Sequence, residues 1–388
     1  MHPSRESVFI VDTGRTAIGR LYKSLANVSA AQLAAAVMRA FIERNATIKK
    51  KGIDQVILGN VVSAATGQNL ACEAALLSGL SESVPAFSVN QVCGAGLQAV
   101  MIACQAMKAA ESQVVIAAGT ESASRSPKIF LELKHKYRVE SLIYDGLWCH
   151  LTDKHMGELA ELTAEKFAIN RETQDRYALA SHQKTYAALL DKNFDREIVP
   201  IRVEADGIFK QDERIRPDTT FEQLRGLPAA FKENGTITAG NSSAPSDGAA
   251  AVLLAASSGV RKYKLTPRAR ILGYASVAVN PLEVFASTRL SIKQCLEQCG
   301  LSLKDIDFFE ISEAFAVQAV LTRSSLKIPS AKMNVWGGDI ALGHPLGAAG
   351  LRALVTLVHV LEKQKKKRGV ASVCFGGGGS IAMAIEKI

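Results

Sequence analysis

The 388-residue sequence lacks the features of membrane-spanning proteins and of secreted proteins held together by disulfides. No stretch approaches the roughly 20 continuous apolar residues that a membrane helix requires. The seven cysteines are odd in number and widely spaced, with no CxxC pair, which favours reduced thiols in the cytoplasm. The first candidate strand, residues 8–11, begins so early that we expect neither a signal peptide nor a transit peptide.

The common nucleotide and metal motifs are also missing. There is no P-loop, and the pair Gly94 and Gly96 lacks the third glycine of the dinucleotide fingerprint. Cys295 and Cys299 can share one face of a helix, but no second pair of ligands accompanies them. We therefore expect these two cysteines in the core, and we expect no metal site.

Positive charge is in excess, with a net charge of +9. The basic residues concentrate at 49–51 and at 363–368, each run lying between a helical stretch and a strand. A solvated helix end explains both runs better than nucleic-acid binding, because no aromatic residues interleave with the lysines. An anionic small substrate would also suit a basic protein.

The chain repeats itself. Residues 53–60 resemble residues 306–313, an offset of 306 − 53 = 253, and residues 94–100 resemble residues 348–354, an offset of 348 − 94 = 254. Two independent matches at nearly one offset indicate an internal duplication.

Each repeat has the same order of predicted elements. A helix (about 29–45 and 284–300) precedes an apolar strand (54–59 and 306–311). A helix of small residues (94–110 and 347–364) then precedes a second strand (114–118 and 369–375). Apolar strands alternating with helices predict a parallel sheet covered on both faces. We expect an α/β fold of two βα domains packed about a pseudo-twofold axis.

A different kind of sequence separates the repeats. Residues 119–240 are charged and loop-rich, with one helical pattern at about 157–192 and a polar, turn-rich stretch at about 195–235. A loop of this size without a function would be unusual, so we interpret it as an inserted lid or ligand-binding segment. The predicted domains are residues 1–118, completed by about 241–265, the insertion 119–240, and residues 266–388.

The block NQVCGAG at 90–96 places Cys93 after a strand and before a helix. The free N–H groups and dipole of a helix N-terminus favour a thiolate, and the glycines allow a ligand to approach closely. A buried structural cysteine is the alternative.

Two further blocks bring chemistry to the second repeat. In GHP at 343–345, His344 lies on the loop equivalent to that of Cys93, so the two residues face each other if the repeats pack symmetrically. In CFGGGG at 374–379, Cys374 precedes glycines whose N–H groups can bind an oxyanion, although such a run also fits a hairpin turn.

Together these blocks resemble those of the thiolase family along essentially the whole chain. The segment TAGNSS at 238–243, followed by DGAA at 247–250, matches a further family block. The resemblance implies that His344 deprotonates Cys93, which attacks the carbonyl of a coenzyme A thioester. Cys374 is then the acid or base at the α-carbon, and the N–H groups of Cys93 and Gly376 hold the thioester oxygen.

The resemblance also implies the ligand contacts and the partners. No cofactor is needed beyond coenzyme A as substrate, and neither nucleic acid nor a membrane is an expected partner. A homodimer or homotetramer is expected. The implied coenzyme A contacts are Ser243, Arg216, His155, Met156, Phe231, Ala239 and Phe315.

Two positions depart from the family pattern. Ser312 stands where the family has an asparagine that holds an oxyanion-hole water, and a shorter serine is expected to hold that water less well. Phe285 stands in a segment, 284–291, where the family shows a glycine beside the catalytic cavity, so the cavity wall is expected to be narrower. Alternatively, Ser312 is the partner that suits the reshaped cavity.

The leading functional hypothesis is a short-chain thiolase, an acetyl-CoA acetyltransferase. The HMG block at 155–157 and the glycine run resemble the biosynthetic branch of the family. A longer-chain 3-ketoacyl-CoA thiolase and a weakly active partner subunit of the same fold are the alternatives. A condensing synthase is disfavoured, because such enzymes place a histidine or an asparagine where Cys374 stands.

Overall fold

A computed structural model describes residues 6–48, 52–132, 136–203 and 207–388. The basic run at 49–51 lies outside these ranges. Across them, no helix is both long and apolar enough to cross a membrane. The first part of the chain contains β1 (Val8–Thr16), β2 (Gly19–Arg20), α1 (Ala30–Arg44), β3 (Gln55–Gly59), α2 (Leu70–Leu77), β4 (Ala86–Val89), α3 (Ala95–Lys108) and β5 (Val114–Ser122).

The inserted segment is built from short hairpins and two main helices. It contains β6 (Lys128–Glu132), β7 (Lys136–Glu140), a π-helix (Leu142–Leu147), β8 (Trp148–Cys149), β9 (Lys154–His155), α4 (Met156–Lys166), α5 (Arg171–Leu190), β10 (Ile198–Val199), β11 (Ile201–Val203), β12 (Gly207–Phe209) and α6 (Phe221–Arg225).

The single helix predicted at 157–192 is wrong, because two helices occupy this stretch. Ala168 adopts a left-handed φ of +52° after the last turn of α4. Asn170 then caps α5, its side chain accepting the Thr173 N–H. The apolar spacing runs through the break, so the pattern alone did not reveal it.

The chain then completes the first half and forms the second. The remaining elements are β13 (Ser246–Ala256), α7 (Ser257–Tyr263), β14 (Ala269–Ala278), a 3₁₀ turn (Pro281–Ala286), α8 (Thr288–Gln298), β15 (Phe308–Ile311), α9 (Ala316–Leu326), α10 (Asp339–Leu342), a 3₁₀ turn (Leu346–Ala348), α11 (Ala349–Lys363), β16 (Arg368–Phe375) and β17 (Gly379–Lys387).

One sheet runs through both halves, in the order β15-β16-β17-β14-β1-β13-β5-β3-β4. In the first half, β1 pairs with β13 and β13 pairs with β5, both antiparallel. Strand β5 then pairs with β3 and β3 pairs with β4, both parallel. In the second half, β14 pairs with β17 and β17 pairs with β16, both antiparallel, and β16 pairs with β15 in parallel. The two halves therefore share one pattern, and they join through a short antiparallel pairing of β1 with β14. The predicted duplicated α/β fold is confirmed.

The prediction of a purely parallel sheet is wrong, because the sheet is mixed. Helices cover both faces, so the central strands β5, β13 and β17 are buried almost along their whole length. Continuous apolar runs report that burial and carry no information about strand direction.

The equivalent helices α3 and α11 pack against each other at the centre of the molecule. A Cβ atom on Gly96 would lie 2.8 Å from the carbonyl oxygen of Gly347 and 2.9 Å from the Cβ of Leu351. A Cβ on Gly350 would lie 3.1 Å from the Cγ of Leu97. Only glycine permits this approach, which brings the starts of both helices together.

Candidate active site

Cys93 lies in a sharp turn between β4 and α3. Val92 adopts a left-handed φ of +49°, and Asn90 Oδ1 accepts the Val92 N–H at 2.9 Å. The chain therefore reverses within a few residues, and Cys93 lies just ahead of the helix. A left-handed β-branched residue is strained, and such strain is concentrated at functional sites.

His344 lies on the equivalent turn of the second half, between α10 and α11. Gly343 has a φ of +106°, and a Cβ there would lie 2.3 Å from Ser246 Oγ, so this position requires glycine. The His344 N–H donates to the Ala244 carbonyl at 2.9 Å, which fixes the loop. The buried His344 side chain is hydrogen-bonded to Cys93.

The surroundings of His344 favour its charged form. Burial alone would lower its pKa, but the negative charge of ionised Cys93 and the carboxylate of Asp339 raise the pKa of His344 to about 10. His344 Nδ1 lies 3.2 Å from Asp339 Oδ2. An imidazolium beside a thiolate is the arrangement that activates a cysteine nucleophile.

Cys374 lies at the end of β16, where the glycine run forms a hairpin turn to β17. Gly377 and Gly378 have φ values of +88° and +94°, so they make the turn, and Gly376 lines the catalytic cavity. The hairpin turn is therefore confirmed, and the oxyanion-binding role of the Gly376 N–H stays a prediction. Burial first, and then the charge of Cys93, raise the pKa of Cys374 well above that of a free thiol. Cys374 is held as a thiol, which is a proton donor.

The three side chains meet in one apolar cavity of about 430 Å³. The other predicted site residues that line it are Gly376, Ser243, His155, Met156, Phe231 and Phe315.

The inserted segment supplies one wall of this cavity. His155 caps α4, its Nδ1 accepting the Gly157 N–H at 3.0 Å, and its ring stacks on Phe231 at a centroid distance of 4.9 Å. Burial lowers the pKa of His155. Ser243 Oγ donates to the Ala314 carbonyl at 2.9 Å. The predicted contact residues from the insertion and from the second half therefore share one surface.

Three predicted residues lie elsewhere. Ser312 is buried behind His344, where its hydroxyl donates to Asp339 Oδ2. Arg216 and Ala239 are exposed and lie outside the cavity lining.

Phe285 forms part of the cavity wall, as its departure from the family pattern predicts. It is fully buried and packs edge-on against Phe315, with the ring centroids 5.0 Å apart and a 75° angle between the planes. Leu147 and Leu346 add apolar surface that could not be predicted from the sequence. The sequence around them does not indicate a ligand site, because an apolar residue that lines a cavity resembles one in the core.

Across the described residues, no group of three or more His, Cys, Asp or Glu side chains is arranged to hold a metal ion. Cys295 is buried in an apolar cluster with Cys299 against its edge. The basic run at 363–368 meets a carboxylate, since Arg368 Nε donates to Glu386 Oε1 at 3.0 Å.

Comparison with family models identifies both halves. The model of the thiolase N-terminal domain matches residues 8–258, and that of the thiolase C-terminal domain matches residues 265–387. The chain belongs to the thiolase family. The predicted domain boundaries, including the insertion at 119–240, stay a prediction.

Relatives of this thiolase match over nearly its whole length. It is 43% identical over 389 residues to an acetyl-CoA acetyltransferase of Escherichia coli, covering 98% of each chain. It is 40% identical over 390 residues to an acetyl-CoA acetyltransferase of Cupriavidus necator, covering 98% of this chain and 99% of the relative.

Solved thiolase structures share its fold. The Bacillus anthracis acetyl-CoA acetyltransferase superposes with a TM-score of 0.96 at 34% identity, covering 99% of this chain and 100% of the other. The human mitochondrial 3-ketoacyl-CoA thiolase in complex with CoA gives 0.95 at 37% identity, covering 99% and 98%.

Proposed function

We propose that this thiolase is an acetyl-CoA C-acetyltransferase, which condenses two acetyl-CoA molecules to acetoacetyl-CoA and coenzyme A, and catalyses the reverse cleavage. The observation that carries the proposal is the meeting of Cys93, His344 and Cys374 in one apolar cavity. The names of relatives that are 40% and 43% identical support the same activity.

The proposed first half-reaction acylates Cys93. His344 takes the proton from the Cys93 sulfur, and the thiolate attacks the acetyl carbonyl. The N–H groups of Cys93 and Gly376 hold the oxyanion. The departing coenzyme A sulfur takes the proton of Cys374, which leaves Cys374 as a thiolate.

The proposed second half-reaction forms the carbon–carbon bond. The Cys374 thiolate takes a proton from the methyl group of a second acetyl-CoA, and the carbanion attacks the Cys93 thioester. The Cys93–acyl bond breaks and acetoacetyl-CoA leaves. The electron pair of that bond stays on the Cys93 sulfur, which is again a thiolate beside imidazolium His344. These residues supply every proton transfer, so coenzyme A is proposed as substrate without a further cofactor.

The inserted segment is proposed to bind coenzyme A, with the pantetheine part passing His155 and Phe231 towards Cys93. We also propose a homodimer or homotetramer in the cytoplasm. Strand β4 is the last strand of the sheet order, so its outer edge can pair with a second copy. All seven cysteines are free, which suits a reducing compartment.

The test is incubation of the purified protein with acetoacetyl-CoA and coenzyme A while the absorbance of the substrate is followed. We expect consumption of acetoacetyl-CoA, and radiolabel from labelled acetyl-CoA on the peptide that contains Cys93. Cys93→Ala should abolish both.

A longer-chain thiolase would prefer 3-ketohexanoyl-CoA or longer substrates, and an inactive partner subunit would consume none. Label on Cys374 instead of Cys93 would contradict the assigned nucleophile.

A further inference from the structure

We propose that Asp339 is a positioning residue that holds the His344 ring for proton transfer with Cys93, in a relay of Cys93, His344 and Asp339. The inference rests on the proposed role of Cys93 as the nucleophile. Asp339 is the first residue of α10 and His344 is the second residue after that helix ends, so the loop itself brings Asp339 Oδ2 to 3.2 Å from His344 Nδ1.

Asp339 is set up to remain a carboxylate although it is completely buried. Its Oδ1 forms an ion pair with the Nε of buried Arg352 at 2.7 Å, although the two atoms are not aligned for a hydrogen bond, and its Oδ2 accepts the Ser312 hydroxyl. Burial raises the pKa of Asp339, but the charge of Arg352 and the contacts with His344 and Ser312 lower it overall, below its usual value. A buried charge with this many partners is geometrically fixed.

A fixed carboxylate determines which ring nitrogen of His344 carries the proton. A carboxylate only accepts hydrogen bonds, so Nδ1 must donate to Asp339. Nε2 then presents its lone pair to Cys93. When the thiol proton moves from the Cys93 sulfur to Nε2, the electron pair stays on sulfur, and the imidazolium lies between two negative groups.

The charged groups around the relay come from several elements. Cys93 and Cys374 face His344 from the cavity, and Arg352 lies behind Asp339. Burial raises the pKa of Glu310 to about 8, and the charge of Arg352 opposes that shift. Arg214 passes Gly343, where a Cβ would lie 3.0 Å from its Cδ. Asp339 is the carboxylate in contact with the ring, so its removal should change the proton affinity of His344 most.

Ser312 takes a different part in this arrangement from the one that the family pattern implies. Its hydroxyl donates to the oxygen of Asp339 that also contacts His344. The serine therefore fixes the carboxylate and neutralises part of its charge.

The test measures alkylation of Cys93 by iodoacetamide as a function of pH, with the modified peptide quantified by mass spectrometry. The reagent reacts with the thiolate and needs no acyl-CoA, so the result is independent of the proposed acetyl transfer. Asp339→Asn should slow alkylation at neutral pH about tenfold, the equivalent of about one pH unit, and move the profile to higher pH. An unchanged profile overturns the proposal.

Two further variants separate positioning from a structural role. Ser312→Ala keeps the Asp339–Arg352 ion pair and leaves the carboxylate less neutralised, so its profile should move to lower pH, opposite to Asp339→Asn. If Asp339→Asn does not fold, Ser312→Ala decides alone, and an unchanged profile or a shift to higher pH overturns the proposal. Asp212→Asn breaks a matched buried pair, with Arg15 at 2.7 Å, and should leave the profile unchanged.

Discussion

The two cysteines in the cavity have different surroundings. Cys93 shares a hydrogen bond with His344, whereas Cys374 is buried and faces the charge of Cys93, which raises its pKa. This difference suits the proposed roles of Cys93 as nucleophile and of Cys374 as proton donor. Different environments allow two groups of one residue type to take separate acid and base roles.

Cys374→Ser should separate the two half-reactions. We expect Cys93 still to be acetylated, because its base is His344 and the coenzyme A sulfur can leave as a thiolate without the Cys374 proton, while exchange of the acetyl methyl protons falls about 10²- to 10⁴-fold. Proton exchange in deuterated water, followed by NMR, measures the second step alone. Cys72→Ser removes a thiol from α2, outside the cavity, and should leave exchange intact. Undiminished exchange in Cys374→Ser would rule out its assigned role.

Individual residues differed in how far the sequence revealed them. Cys93, His344 and Cys374 stand in glycine-rich turns, and the physical reasons for those glycines are visible in the sequence. Asp339 lies inside the same glycine-rich block, but its role depends on a helix of four residues, which no periodicity predicts. The hydroxyl of Ser312 donates to this aspartate, and the two residues lie 27 positions apart in the sequence.

At the scale of elements, the 3₁₀ turn Pro281–Ala286 and the start of α9 form part of the cavity wall. The turn carries Phe285, and Phe315 immediately precedes the first residue of the helix. Their edge-on packing closes the space beside Cys374, since all three belong to one apolar cluster. We expect this arrangement to favour a small acyl group over a long chain.

Phe285→Ala should therefore enlarge the acyl site. We expect the ratio of kcat/KM for 3-ketohexanoyl-CoA to that for acetoacetyl-CoA to increase, together with a loss of about 3–5 kcal/mol of stability, as for other buried phenylalanines. Thermal unfolding checks the second effect. Phe285→Leu retains most of the volume and should change the ratio less. An unchanged ratio in a folded Phe285→Ala protein would show that another wall limits chain length.

The order of elements was predictable where a helix and its strand form a local pattern, as in α3 with β5 or α11 with β16. The break between α4 and α5 was not, because it depends on Ala168 and Asn170 against a continuous apolar stripe. The strand directions were predicted wrongly for a related reason. Burial on both faces removes the alternation from which pairing is inferred.

At the scale of the whole molecule, duplication brings two loops together and the insertion covers them. The repeat offset in the sequence was enough to predict that the loops of Cys93 and His344 are equivalent. The carboxylate that joins the halves was not predictable. Buried Glu121 accepts the Gly347 N–H at 2.9 Å from one half and the Val62 N–H at 3.1 Å from the other. Burial raises its pKa to about 7.

Part of the excess positive charge is clustered within the insertion. Burial first, and then the charges of Arg216 and Arg214, lower the pKa of His182 to about 4. Burial, Arg216 and Arg20 likewise lower the pKa of Arg214 to about 10. Because Arg214 and Arg216 repel each other, a polyphosphate bound beside them would reduce that repulsion.

Arg216→Ala should weaken binding of the phosphorylated end of coenzyme A. We expect KM for acetoacetyl-CoA to increase about tenfold, the effect of losing about 1.4 kcal/mol, with little change for the pantetheine thioester, which lacks the phosphates. Because Arg216 is exposed, added salt should raise KM for the wild-type protein more than for the variant. Arg225→Ala removes another exposed arginine, at the end of α6, and should alter neither substrate. An equal effect of Arg216→Ala on both substrates would place Arg216 away from the phosphates, and the cationic surface would then serve solubility alone.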